Sequence, residues 1–303
     1  MRFALLLPLL FAASCAEELP SDLMADVPVE VAGPPGALTL TITPLVPGAS
    51  ATFRVTGARP NQMVGIYRSS AVQAGGACTV AGIAPQCLDL RSPATRTFNV
   101  RANGAGVASI TVTLPNPLAL TSAAWQAAYR AGAVFDTSAA ASYTVHQPSS
   151  DNDYDGITAI EEVSTFQTNP GLADTDGGGA GDGQEIGAGT NPLVPGDDPA
   201  PPTYTASIAP IVSAHCGGCH LNGGASGGRS WGTYQDFFQV ANQAPALAEI
   251  EPGSPAESYM YRKLQGTHIA AGGSGVRMPR GGPYLNATEL QTFADWINAG
   301  APQ

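Results

Sequence analysis

The sequence predicts a multidomain chain: an N-terminal all-β sandwich, a spacer built from acidic loops, and a C-terminal all-α domain. Three observations carry that expectation. Between residues 36 and 147 apolar residues recur at every second position, with turn residues between the runs. Residues 148–198 contain one acidic pattern twice, at a step of 23 residues. The last 101 residues carry helix-period apolar faces with capping signals. A length of 303 residues suits two or three domains, and 36 Gly with 26 Pro place loop-rich joints between them.

The chain begins MRFALLLPLLFAASC. Arg2 supplies a positive start and Phe3–Ala13 an apolar run of 11 residues, too short to span a bilayer as a helix. Small residues and Cys15 follow. This arrangement resembles a bacterial lipoprotein signal peptide, with Ala12 where such signals usually carry Leu. The resemblance assigns residues 1–15 to a lipoprotein-type signal segment cut before Cys15, which is lipidated, becomes the mature N-terminus and anchors an exported protein to the outer membrane on its periplasmic or cell-surface side. A plain secretory signal with an incidental cysteine is the alternative. Residues 16–35, acidic and then Pro-rich, read as a flexible tether. Export permits disulfides, and Cys78 and Cys87, nine apart, are expected to close a short loop.

The sandwich comes next. LTLTITPL, SATFRVTG, QMVGIYRSS and TRTFNVRANGAGVASITVTLP alternate apolar and polar residues, and a hairpin is expected around Asn103-Gly104. Ser122–Gly132 fits either a helical excursion or another strand. No cluster of titratable residues marks this region for catalysis, so its role reads as structural or binding.

The net charge of −11 is concentrated in the acidic segment. Eleven of the 24 Asp and Glu lie between Pro148 and Ala200 with no Lys or Arg, leaving 13 acids to match the 13 bases elsewhere. There is no basic patch to recruit nucleic acid. The first copy supplies Asp151, Asp153, Asp155 and Glu162; the second supplies Asp174, Asp176, Asp182 and Glu185. Carboxylates at loop positions 1, 3 and 5, a Gly at 6 and an acid at 12 wrap oxygens around a hard cation. Gly178 replaces the fifth-position acid of the second copy, and Ala159 leaves the first without a ninth-position side-chain ligand. The spacing and the TNP that ends each copy resemble the thrombospondin type 3 calcium repeats of bacterial surface proteins. A calcium-stiffened spacer is therefore expected. Leu193–Pro202, ending in the 199–202 joint, reads as an extended Pro-rich linker.

Residues 203–303 begin with a short amphipathic helix, in which Pro210 is tolerated near the first turn. The helix leads into Cys-Gly-Gly-Cys-His, Cys216–His220. Two cysteines three apart with a histidine directly after are the pattern of covalent c-type haem attachment. The thiols add across two porphyrin vinyl groups and the histidine takes the iron axis. Zinc would need His215, Cys216, Cys219 and His220 to converge from six residues, and a redox pair would open a helix rather than close one. A plain Cys216–Cys219 disulfide leaves the histidine unexplained. Met278, in the Gly-rich loop GSGVRMPRGGP, is the expected second axial ligand; Met260 reads as core, His268 as solvated, and His215 as too close to the proximal side. At the C-terminus Asn286 and Glu289 form a capping box, Leu290, Phe293, Trp296 and Ile297 form one face, and Gly300 stops the helix.

The order Ile208–Ile211, Cys216–His220, PAESYMYRKL, RMPRGG and WINAGA is similar to the mono-haem cytochrome c domains appended to exported proteins of planctomycetes and myxobacteria. That resemblance implies an all-α cytochrome c-like fold with one haem c on Cys216 and Cys219, iron between His220 and Met278, and single-electron exchange with redox partner proteins. No nucleophile–base constellation suggests an enzyme, although a subunit of a larger oxidoreductase fits the same residues. The alternative function is a calcium-stiffened surface adhesion lipoprotein with a haem-based sensor domain.

Overall fold

The computed structural model describes residues 37–80, 86–118, 121–132, 134–221 and 228–303. The signal-type segment with Cys15 and the 16–35 tether lie outside the described residues. Two compact units emerge. Among the described residues, the first takes in 37–43, 51–112 and 121–144, and the second 44–50, 113–118 and 145–303.

In the first unit the alternating runs become strands. One sheet has the order β1 (Thr39–Ile42), β2 (Ser50–Thr56), β7 (Ala108–Thr113). The other has the order β10 (Ala141–Thr144), β8 (Ser122–Ala131), β3 (Met63–Ser69), β6 (Thr95–Arg101), with β9 (Val134–Thr137) also paired to β8. Phe53 of β2 meets Phe98 of β6 and Trp125 of β8 with ring centroids 4.8 Å apart in both pairs, so the inner faces of the two sheets share one aromatic core.

The ambiguous Ser122–Gly132 run is the strand β8. Aromatics four apart lie on one face of a strand as well as of a helix. Trp125 and Tyr129 point inward, while Ala124, Gln126 and Ala128 face the other way and are also buried. Their cover is a hairpin of β4 (Val72–Ala77) and β5 (Leu88–Leu90), whose Ala77, Leu88 and Leu90 pack on Ala124 and Ala128. Gln126 is satisfied there: Asp89 N–H donates to its Oε1 and its Nε2 donates to Ser138 O, both at 2.8 Å. The Cys78–Cys87 disulfide links the inner ends of β4 and β5. Replacing both cysteines with serine is expected to destabilise this unit by roughly 2–3 kcal/mol, from the loop entropy of so short a closure. An unchanged urea midpoint would contradict that expectation.

The expected hairpin at Asn103-Gly104 is instead an arch. β6 and β7 belong to different sheets. Asn103 Oδ1 accepts from the N–H groups of Ala105 and Val107, both at 3.0 Å, and turns the chain from one layer to the other. Gly106 sits at φ +73°, where a Cβ would fall 2.3 Å from Ala58 O, so only glycine fits this corner. Alternation alone does not distinguish a hairpin from an arch, since both leave the same faces inward.

The second unit corrects the expected fold class. Its helices are short: α1 (Ala159–Glu161, continuing as a π turn through Glu162–Phe166), α2 (Asp182–Ala188), α3 (Ala209–His220), α4 (Tyr259–Gln265) and α5 (Ala287–Asn298). Between α3 and α5 lie 3-10 turns, an antiparallel bridge Val240↔Ala248, a parallel bridge Ala248↔Ser258 and long irregular stretches. This is not the all-α cytochrome c-like domain expected of residues 203–303, and the chain as described is richer in sheet. The physical reason lies in the backbone: Gly266, Gly272, Gly275, Gly281 and Gly282 all adopt positive φ between α4 and α5, which no continuing helix accepts.

The acidic segment is likewise not a free-standing spacer. Asn298 of α5 donates to Asp153 O at 3.1 Å, Gln291 donates to Tyr154 O at 3.0 Å, and the Tyr154 ring meets Tyr261 of α4 edge-on at 5.8 Å. The first acidic loop is thus bolted to the helices that enclose Ile208, Val212, Phe237, Met260, Phe293 and Trp296 in one core.

Candidate functional site

α3 is built to present its C-terminal turn. Thr203 Oγ1 accepts from Ala206 N–H at the start of the preceding π turn, and Pro210 occupies the start of α3 itself. The helix ends at His220, and Leu221 is extended. Cys216 and Cys219 are free thiols, the first buried and the second exposed. Burial, and then the neighbouring Cys219, pushes the Cys216 thiol up to about 11, so it stays protonated at neutral pH.

Cys216, Cys219, His220 and Met278 line one cavity of ≈ 530 Å³, together with Met260, Leu264 and Val276. That volume falls in the range of small-molecule and cofactor sites. His220 is fixed from behind. Its Nδ1 lies 3.0 Å from Arg229 O and its ring stacks on Trp231 at 4.2 Å. A carbonyl partner puts the proton on Nδ1 and leaves the Nε2 lone pair for a metal. Met278 is held by its N–H on Lys263 O at 3.0 Å, and Lys263 Nζ, on the only lysine of the chain, donates to Ser274 O at 2.5 Å and Val276 O at 3.1 Å. These residues fit a haem: Cys216 and Cys219 would hold it as thioethers, and His220 and Met278 would bind its iron.

The competing candidates separate by position. His268 is buried, not solvated, with Nε2 3.0 Å from Gly275 O, and it is not part of the cavity lining. His215 pairs its Nε2 with Glu289 Oε1 at 2.9 Å and stands at the cavity margin; the Asn286 N–H and His215 hold the Glu289 carboxyl below its ordinary range. Met260 is both core and cavity wall. Among the described residues, groups of three or more convergent metal-ligating atoms consist of carboxylates only, so His215, Cys216, Cys219 and His220 do not gather as a zinc site.

Those carboxylates form the second constellation. Asp151 accepts from Tyr154 N–H and Gly156 N–H; Asp174 accepts from Gly177 N–H and Gly179 N–H, at the same offsets of three and five. Gly156 and Gly179, at φ +94° and +116°, turn both loops at position 6. Asp151, Asp153 and Asp155 converge within 4.8 Å; so do Asp155, Glu162 and Asp182, and so do Asp176, Glu185 and Asp198. Asp182 therefore joins the first loop's acids, while both its oxygens accept from Thr175. Asp198 was not among the expected ligands. Its signal is register: it follows Asn191 by seven residues, as Asp176 follows Asn169.

Asp155, Glu162, Asp182 and Glu185 are buried. Asp153, Asp155, Glu162, Asp176, Glu185 and Asp198 each have at least one buried oxygen without a hydrogen-bond partner. Desolvation, then Asp153, pushes Asp155 to about 8 and Glu162 to about 9; desolvation, then Asp198, pushes Glu185 to about 7. Buried acids this crowded need either protons or a cation between them. The donor set fits a hard divalent cation.

No protein-family model and no curated protein matches the chain.

Proposed function

We propose that the protein is an exported single-electron carrier with one covalently attached haem, its haem unit braced by calcium in the acidic loops. The observation that carries this reading is the convergence of Cys216, Cys219, His220 and Met278 on one cavity. Cys216 and Cys219 would hold the haem as thioethers, and His220 and Met278 would bind its iron. When bound, haem supplies reversible one-electron chemistry at iron. The chain's own residues do the rest. Arg229 O and Trp231 orient His220, Lys263 anchors the Met278 loop to α4, and Met260, Leu264 and Val276 give the cavity an apolar wall. With both His220 and Met278 committed to the iron, the site would favour electron exchange with redox partner proteins over substrate chemistry.

Export is supported by the pattern of residues 1–15 and by the Cys78–Cys87 disulfide, which belongs to an oxidising compartment. Lipid attachment at Cys15 places the carrier on the outer membrane.

The test is a visible spectrum of oxidised and reduced protein made with c-type haem maturation. A low-spin covalent haem with a methionine-to-iron band is expected, and Met278→Ala is expected to remove that band and lower the potential. An unchanged Met278→Ala spectrum would reassign the ligand, with Met260 next in line. Ready carbon monoxide binding by the wild type would favour a haem sensor on a surface-binding lipoprotein.

A further inference from the structure

The second acidic loop lacks the fifth-position carboxylate that its first copy has in Asp155, and Gly178 stands there instead. A Cβ built on Gly178 would fall 2.2 Å from Asp198 Oδ2, 2.4 Å from Oδ1 and 2.5 Å from the carboxyl carbon. The place of the missing side chain is thus taken by the Asp198 carboxylate, delivered from 20 residues further along the chain. Gly178 lies outside the left-handed region, so its backbone does not itself demand glycine. The demand comes from the incoming carboxylate.

We propose that Asp198 completes a second divalent-cation site with Asp176 and Glu185, substituting in space for the acid absent at Gly178. This rests on the calcium reading of the acidic loops and deepens it. The three carboxylates place oxygens within 4.8 Å of one another. Glu185 is fully buried and neither of its oxygens has a hydrogen-bond partner. A buried carboxylate in that state is costly unless a ligand meets it. Asp176 Oδ1 accepts from Gly178 N–H and Asp198 Oδ2 from Ala180 N–H, both at 2.9 Å, which leaves Asp176 Oδ2 and Asp198 Oδ1 buried without partners. The free oxygens of all three residues are therefore available to one ion. Oxygen-only donors of this charge suit calcium, which accepts irregular geometry, over magnesium, which demands a near-ideal octahedron.

The site also changes the role of the Pro-rich segment. Leu193–Pro202 was expected to be an extended linker. Here Asp197 accepts from Asn191 N–H, Ala200 O accepts from Gln184 Nε2, and Asp198 lies five residues before the Thr203 cap that leads into α3. A cation at Asp198 fastens the approach to the thiol-bearing helix onto the second acidic loop.

Calorimetric titration of the metal-stripped full chain with calcium chloride tests this. The wild type is expected to bind two equivalents and Asp198→Ala one. Gly178→Asp introduced into the Asp198→Ala chain is expected to restore the second equivalent, because the added carboxylate enters the space just vacated. Two equivalents in Asp198→Ala, or a rescue that fails while the protein stays folded, would overturn the role of Asp198 and leave the calcium reading intact. No binding by the wild type would overturn the calcium reading, and this site with it.

Discussion

A chain carrying both Cys216→Ala and Cys219→Ala, produced with c-type haem maturation, is expected to lose the haem stain on a denaturing gel entirely, against a stained wild-type band. Helix geometry gives the reason. Three residues along α3 separate the two thiols by about 4.5 Å along the axis and about 60° around it, and His220 lies about 40° from Cys216 on the other side. All three side chains therefore leave one face of the last turns, toward the cavity that Met278 also lines. Either single variant keeps one thioether and is expected to stain weakly. His220→Ala keeps both attachment points and is expected to stain while losing the low-spin spectrum. The Cys78→Ser, Cys87→Ser chain is the control, since its disulfide belongs to the first unit and its haem stain should not change. Full stain in the double alanine variant would sink covalent attachment at this motif.

How much of this was legible in sequence varies by element. β2 and β7 alternate apolar and polar residues and each buries one face, so period alone located them. β8 was ambiguous because both its faces are buried, one by the facing sheet and one by β4 and β5; a doubly covered strand loses its alternation. α5 was legible at its start, where Asn286 and Glu289 cap each other through local bonds at 2.9 Å. The all-α expectation failed because it extended helices by resemblance across a stretch whose glycines break them. Asp198 was hidden for a different reason. Its register, seven residues after Asn191 as Asp176 is after Asn169, is a partial third copy of the pattern, and it lies in a Pro-rich run that reads as linker. The thiol–histidine motif was readable because its geometry is contained within five residues of one helix.

Stripping calcium from the full chain is expected to lower the melting temperature of the second unit by about 5–10 °C. An ion present at about 100 times its dissociation constant contributes about 2.7 kcal/mol, and each 1 kcal/mol moves the midpoint of a body of this size by about 2–4 °C. The pH dependence separates this from a general salt effect. In the metal-free fold Asp155 and Glu162 titrate near 8 and 9, mainly because burial disfavours their charged forms, while in the unfolded chain they ionise near 4. Between those values the folded state holds protons that the unfolded state has released. Metal-free stability therefore falls as pH rises from about 4, and the loss is complete once the folded values are passed. Calcium bound there would replace those protons, so its stabilising effect should be larger at pH 8 than at pH 5.5. Glu162→Gln sharpens the test. It removes a buried carboxyl that the metal-free fold must keep protonated at pH 8, and that Thr168 only partly satisfies through a 3.3 Å bond to Oε1. The variant should be more stable than wild type without metal at pH 8, and less stable than wild type with calcium. If it is less stable in both conditions, the carboxylate is held by the protein alone and the cation has no part in the fold.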